Sequence, residues 1–419
     1  MTYQKYGIFL LLIYFPVRTL LIELIPVLRF LGDVVIIGMF LHIFFRDPAG
    51  LLKKYRFTGY FLAFIAVGAV VALLNGVEPM AVAIQLRTFV MPFLLIYIVG
   101  EMRLDSPRDF LQQVVSISFV MGVLVSLHGL IAKVSHRTWL MPDSWEAWDL
   151  AAINSGRIYG ATGNPNILAT YLCIVFFLVI FFRRRFTWHT YAGLILIAGT
   201  VVLTYSRGTL LAFAIGLVVV SLLKQNWRMI GRTAFAFAVA VLLIFFPANA
   251  MSMLTSDGRQ APAEDVSNTE SMDASLFVER FLEMFSGETI EKSMGSGRIY
   301  IVLKGMQIFL DHPVVGTGFG TYGDTASLFY ESPIYDEYDV REGMYTDNQY
   351  MQILVETGVI GALLMLLFFW RTAGMGGEFY FLMLVAGTIA GIVYNILEDK
   401  TFVLYLFMFL GLGVRWRYE

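Results

Sequence analysis

The chain is poor in the residues that most often carry soluble chemistry. Its 419 residues include one cysteine and five histidines. The single Cys173 lies in an apolar run, which excludes a disulfide framework within the chain. That cysteine and the scattered histidines give no zinc spacing, so no metal is expected. Charge is also scarce. Asp, Glu, Lys and Arg make up 15% of the residues, against roughly 25% in soluble domains. The formal net charge is −2, so no basic field draws in nucleic acid. No repeat period or low-complexity tract is evident. No small-residue cleavage site follows the first apolar run, which is read as a retained helix and not as a signal peptide.

Apolar residues are abundant, at 58% of the chain. A membrane-spanning helix takes about 20 of them in sequence. Candidate spans lie near 7–26, 28–45, 58–75, 79–99, 109–132, 164–182, 188–205, 207–223, 229–247, 346–370, 377–396 and 400–415. Pro16, Arg18, Glu23 and Pro26 interrupt the first pair. The expected fold is an all-α polytopic membrane protein of about 12 helices, with one large loop between helices 9 and 10.

Lys and Arg cluster in alternate short segments: Lys53, Lys54 and Arg56; Arg183, Arg184 and Arg185; Lys224, Arg228 and Arg232. The positive-inside bias then puts both termini in the cytoplasm and the large loop outside. Three regions follow: helices over 1–247, an extracytoplasmic loop domain over 248–346, and helices over 347–419. The loop holds sixteen acidic against six basic residues. Its 257–275 stretch is polar and small, and is expected to be mobile. Phe277, Phe281, Met284 and Phe285 recur at helical spacing, as in a helix lying on the outer leaflet or packed on the loop's own core. Ile299 to Leu310 reads as a further helix, stopped by Pro313.

Several polar groups stand out against this background. Gly318-Phe-Gly320-Thr-Tyr-Gly323 fits G-x-G-x-x-G, but a dinucleotide site needs a strand before it and a helix after it. A turn that brings the loop close to other backbone is the better reading. Arg207, in Ser206-Arg207-Gly208, sits between two apolar spans against the charge bias, and an ionisable group there is a functional candidate. The plainer alternative is an arginine snorkelling from a helix end. Arg87 lies inside a span, where an interior salt bridge or a carbonyl contact is the alternative. Arg157 precedes Asn164-Pro165-Asn166, whose asparagines suit a helix start. With Arg298, these arginines would suit phosphate oxygens if they converge. Asn348, Gln352 and Glu356 recur every four residues, a polar stripe on an apolar helix. Asp347 stands at that helix's start, as a cap or as a reacting carboxylate. Tyr322, Phe329, Tyr330, Tyr335, Tyr338 and Tyr345 suit either sugar stacking or core packing.

Together, Arg-x-x-Gly-x-x-x-Asn-Pro-Asn-x-x-Ala (157–169), Ser-Arg-Gly (206–208), Asp-His-Pro-x-x-Gly-x-Gly-x-Gly (311–320) and Glu-x-Gly-x-x-Gly (356–361) form a distinctive set. It resembles the O-antigen ligase and Wzy-type polysaccharide polymerase superfamily. The resemblance implies a GT-C-like membrane glycosyltransferase that uses glycans on undecaprenyl diphosphate, at the outer face of the bacterial cytoplasmic membrane. It implies no cofactor, and a chain-length regulator protein as a partner. In the ligases the helix after the loop opens with His-Asn, the His being the proposed base. Here the pair is Asp347-Asn348. This departure favours a polymerase of O-antigen, capsule or teichuronic type. A ligase and a non-enzymatic lipid-linked glycan transporter are the alternatives. The expected catalytic residues are Arg207, Asp347 and Arg298. Arg87, Arg157, Asn348, Gln352 and Tyr345 are expected to bind substrate.

Overall fold

A computed structural model describes residues 2–146, 156–256 and 297–418. Among these residues the regular elements are helical and no strand occurs. Each apolar segment expected from the sequence carries a helix. Nine are long and apolar enough to cross a membrane, from Tyr3–Leu24 to Gln349–Thr372. Trp188–Leu203 and Gly377–Ala390 are shorter apolar helices, and Lys400–Tyr418 completes the set. The chain is an all-α polytopic membrane protein. The expected helix around Phe277 to Phe285 and the polar 257–275 stretch lie outside the described residues.

Two helix ends differ from expectation for identifiable reasons. The helix expected to stop near 247 continues to Ser256. It passes Pro247, which lacks a backbone donor and crowds the carbonyl four residues back. That carbonyl lies in a π-helical turn, Val241–Phe245, whose wider backbone takes up the proline. The helix expected from 346 starts at Gln349, because Asn348 caps it.

The chain forms two compact units. The first comprises Met1–Leu62, Arg87–Thr255 and Met365–Glu419. Its core is built on Pro165–Phe182 and Lys400–Tyr418, helices apolar on nearly every face and buried accordingly. Between apolar helices the packing is set by close fit more than by water exclusion, so small residues mark the contacts. A Cβ at Gly411 would stand 2.8 Å from the Ile96 carbonyl, and one at Gly216 3.3 Å from the Leu382 carbonyl.

The second unit comprises Ala63–Leu86 and Ser256–Leu364. Helix Arg298–Asp311 packs Ile301 and Ile308 against Tyr322, Tyr335, Tyr338, Met351 and Val355. The Tyr322 hydroxyl donates to the Ile301 carbonyl, and the Tyr335 hydroxyl accepts from the Gly323 amide at 3.1 Å. These three tyrosines are therefore core residues, whereas Phe329 is exposed.

The long helix Gln349–Thr372 is broken at Gly358, whose φ of 59° lies in the left-handed region. Residues Pro313 to Gly318 lace the break. The Thr317 and Gly318 amides donate to the Val355 and Glu356 carbonyls at 2.9 and 2.8 Å. The Val359 and Ile360 amides donate to the Pro313 and Val314 carbonyls at 2.9 and 3.1 Å. Every backbone group freed by the kink that these bonds reach is satisfied, as a break inside an apolar span requires.

Candidate functional site

The Asn164-Pro165-Asn166 turn starts helix Pro165–Phe182. The Asn164 side chain accepts from the amides of Asn166 and Ile167 at 2.8 and 3.3 Å, and Pro165 occupies a position that needs no donor. Asn166 has a different task from the capping expected of it. Its Oδ1 accepts from Arg157 Nη2 at 3.1 Å and lies 2.9 Å from Ser206 Oγ. Arg157 also donates from Nε to the Thr204 carbonyl at 2.8 Å and from Nη2 to Ser206 Oγ at 3.1 Å. This knot ties the 157–166 segment to the Thr204–Ser206 turn. It thereby fixes the residue that follows, Arg207.

Arg207 is half-buried and opens helix Arg207–Lys224, after Tyr205 at φ 53° and a Ser206 that makes no side-chain cap bond. Arg298 opens helix Arg298–Asp311 after an uncapped Gly297. Lys400 also opens a helix, Lys400–Tyr418, but there the Asp399 carboxylate accepts from the Thr401 and Phe402 amides at 2.8 and 3.2 Å. A cation at a helix N-terminus opposes the macrodipole, so none of the three serves helix stability there. At the Arg207 and at the Arg298 helix start, neither of which has a side-chain cap, amides and cation favour an anion.

Arg87 is in part committed to protein groups. It forms an ion pair with Asp33, with Nε 2.7 Å from Oδ2, and donates from Nη2 to the Arg29 carbonyl at 3.1 Å. The guanidinium also lies 5.5 Å from the centre of the Phe30 ring. Both plainer contacts, the salt bridge and the carbonyl, are thus present. The same neighbourhood holds two further cations that the sequence did not single out. Lys400 is within electrostatic reach of Arg18, Arg87, Asp33 and Glu398. Arg18 and Lys400 were legible only as charges beside apolar runs, since nothing in the order of the chain links them.

Arg298, Tyr345, Asp347, Asn348 and Gln352 belong to the second unit. Thr346 is pinned by its amide to the Gly323 carbonyl at 2.9 Å and by Oγ1 to the Tyr322 carbonyl at 2.8 Å. Gly323 permits this approach, because a Cβ there would meet Thr346. Asn348 is the helix cap, its Oδ1 accepting from the amides of Tyr350 and Met351 at 3.1 and 3.0 Å. Asp347 beside it, at φ 47°, is left out of capping. Burial raises its carboxyl above the ordinary carboxylate range, and the Arg298 charge acts against that rise. Tyr345 is half-buried just before Thr346.

The polar stripe faces the protein interior. Gln352 and Glu356 are buried, and Gln349 Nε2 donates to Gln352 Oε1 at 2.9 Å. Glu356 Oε1 shares the Gly320 amide with Asp324 Oδ2, at 3.2 and 2.8 Å. Asp324 is a buried carboxylate that sequence reasoning counted only as loop charge. The Gly318–Gly323 run follows helix Arg298–Asp311, so the dinucleotide reading has no strand to rest on. Gly318, at φ 99°, instead abuts the Ala72 backbone. Among the described residues no group of three or more His, Cys, Asp or Glu is placed to hold a metal.

Apolar helices and a broken span laced by a preceding loop define a polytopic membrane protein. Residues 192–366 match the family model described as O-antigen ligase, and the match places this segment in the O-antigen ligase and Wzy-type superfamily. The matched range contains Arg207, Arg298, Asp347, Asn348 and Gln352, and stops short of Arg87 and Arg157. The family points to a membrane glycosyltransferase of ligase or polymerase type. No curated protein matches the chain.

Proposed function

We propose that the protein is a polysaccharide polymerase that transfers glycan repeat units from undecaprenyl diphosphate to a lipid-linked acceptor glycan. The observation that carries this reading is Asp347: a carboxylate excused from capping by Asn348 and within reach of the Arg298 charge, at the head of the broken helix. An acceptor hydroxyl oxygen attacks the anomeric carbon of the donor. The bond from that carbon to the phosphate oxygen breaks, and its electron pair leaves with the lipid diphosphate. The hydroxyl proton goes to Asp347. Charge grows on the leaving group, so fixed cations contribute most there. Arg207 is the principal candidate, with Arg298, Arg157 and Arg87 in support. The reading sets the reaction at the outer face of a bacterial cytoplasmic membrane, with both termini inside.

The description of the matched family favours a second reading, a ligase that moves the same glycan to a lipid core or protein. Purified protein given lipid-linked repeat units alone separates the two. A lengthening glycan ladder with consumption of donor lipid is expected. Transfer to a lipid core or protein without any ladder would replace the polymerase by the ligase. In the same assay Arg207→Ala is expected to lower turnover roughly 10²–10³-fold, the cost of losing one well-placed electrostatic contact. Arg207→Lys keeps the charge but not the fork, and should fall between. Undiminished turnover in Arg207→Ala would reduce this residue to a snorkelling helix end.

A further inference from the structure

A cavity of about 260 Å³ lies within the first unit, and its described lining is basic: Lys133, His136, Arg137 and Arg157, without a carboxylate. The bland account of such a group is charge placed at a helix end. Lys133 is in the last turn of helix Pro107–Val134, where a cation complements the dipole. That account covers Lys133 and the backbone after it, but neither Arg157 nor the Arg137 side chain. Arg157 comes from another segment. His136 and Arg137 hold the left-handed backbone, at φ 51° and 66°, and close the helix with amide bonds to the Lys133 and Ala132 carbonyls at 3.2 and 2.7 Å. Arg137 Nη1 is buried with no hydrogen-bond partner among the described residues, and the last four carbonyls of the helix are already taken by other donors. A buried donor left unmade is costly, so a turn that keeps one points to a group that the described residues do not supply.

We propose that this cavity binds one anionic sugar residue, a single ring carrying a carboxylate or a phosphate, from the glycan substrate. Its size is the first argument. Cavities for drug-sized ligands run about 300–1,000 Å³, so this one takes a ring and not an oligosaccharide. A bare phosphate displaces the volume of only a few waters, at about 30 Å³ each, and would leave most of the space unfilled. The lining is the second argument. Tyr159, Ile158 and Met141 give it apolar walls beside the cations, as a ring with one charged substituent requires. Lys133 donates to the Gly156 carbonyl at 2.8 Å, which holds its ammonium at this cavity. Charge-assisted hydrogen bonds from Arg137 and Lys133 to one oxyanion would use donors that the fold leaves in place. The inference rests on the reading of the chain as a glycan-handling enzyme and names the class of glycan: one whose repeat unit is acidic.

The test uses the purified full chain in nanodiscs and four probes: glucuronate, glucose 1-phosphate, glucose and inorganic phosphate. Equilibrium binding is expected at least tenfold tighter for either anionic sugar than for glucose, and to weaken with salt. A preference between glucuronate and glucose 1-phosphate identifies the charged substituent. Arg137→Ala should remove the tenfold advantage and leave weak glucose binding unchanged, while Arg137→Lys should keep part of it. Arg137→Gln, which retains the long stem, replaces the alanine variant if that protein elutes aggregated. Equal binding of glucose and glucuronate overturns the proposal, as does an advantage that survives Arg137→Ala and Arg137→Gln. Inorganic phosphate binding as tightly as glucose 1-phosphate would reduce the cavity to an oxyanion site and overturn the sugar. None of these measurements needs a lipid-linked donor. Loss of polymerisation with sugar binding intact therefore sinks the polymerase alone.

Discussion

Helices Pro165–Phe182 and Gln349–Thr372 are both long and apolar, yet they are built differently. The first runs unbroken through the core of its unit, with nearly all of its residues buried. Its side-chain amides sit at the Asn-Pro-Asn start, and inside the span it carries only the hydroxyls of Thr170 and Tyr171 and the Cys173 thiol. The second carries Gln352 and Glu356 inside the span, turns through a left-handed glycine, and borrows hydrogen bonds from another segment. A regular helix satisfies its own backbone and asks only for packing. A broken one exposes backbone that must be paired elsewhere, which fixes a second segment beside it. The contrast suggests that the first is scaffold and the second is where geometry was shaped for chemistry.

Asp347 offers the largest test of that contrast. Asp347→Asn should keep the fold, because Asn348 supplies the cap, and should lower turnover by about 10²–10⁴, the usual worth of a general base. The working form is the carboxylate, so activity should fall as pH drops through its raised pKa. Arg298 favours the charged form. Arg298→Gln should therefore move the acid limb of the rate profile to higher pH. A limb that moves to lower pH, or stays, would separate the two residues. Next comes the kink. Gly358→Ala places a Cβ against Val314 at a positive φ, and should destabilise the protein by about 1–3 kcal/mol. In helix Leu31–Phe44, Gly38 meets nothing within 4 Å, so Gly38→Ala should act in the opposite sense, by roughly 0.5–1 kcal/mol. Thermal unfolding reads both, and equal signs would mean that the break at Gly358 does not require its glycine. The smallest effect belongs to the cap. Asn348→Ala should cost about 1 kcal/mol of stability, measured the same way, and a neutral result would return capping to Asp347.

The helices were legible because a span must be long and apolar whatever its neighbours. The starts at Asn164 and Arg298 were legible for the same local reason. Gly358 was not, since Glu-Thr-Gly-Val-Ile-Gly reads as ordinary helix until the lacing segment is seen. The Arg87 neighbourhood was half legible. A charge inside a span signals a partner, but only folding shows that the partner is Asp33, with Arg18 and Lys400 close by. Asn166 and Asn348 show the limit within one residue type. Composition predicts that an asparagine will bond locally, and the neighbouring turn decides whether it bonds to its own helix or to an arginine.

The lacing of the broken helix also sets an order of events during synthesis. Residues 313–318 leave the ribosome before 355–360, by some forty positions, or a few seconds at about 5–20 residues per second. When the second half of Gln349–Thr372 is made, the strand of chain that will occupy its gap already exists. The span need not wait in the bilayer with bare carbonyls for a late partner. A rearrangement that moved the 313–318 segment downstream of the helix would keep every contact on paper. It would also expose the membrane insertion machinery to an unpaired kink, and the yield of inserted protein would report that difference.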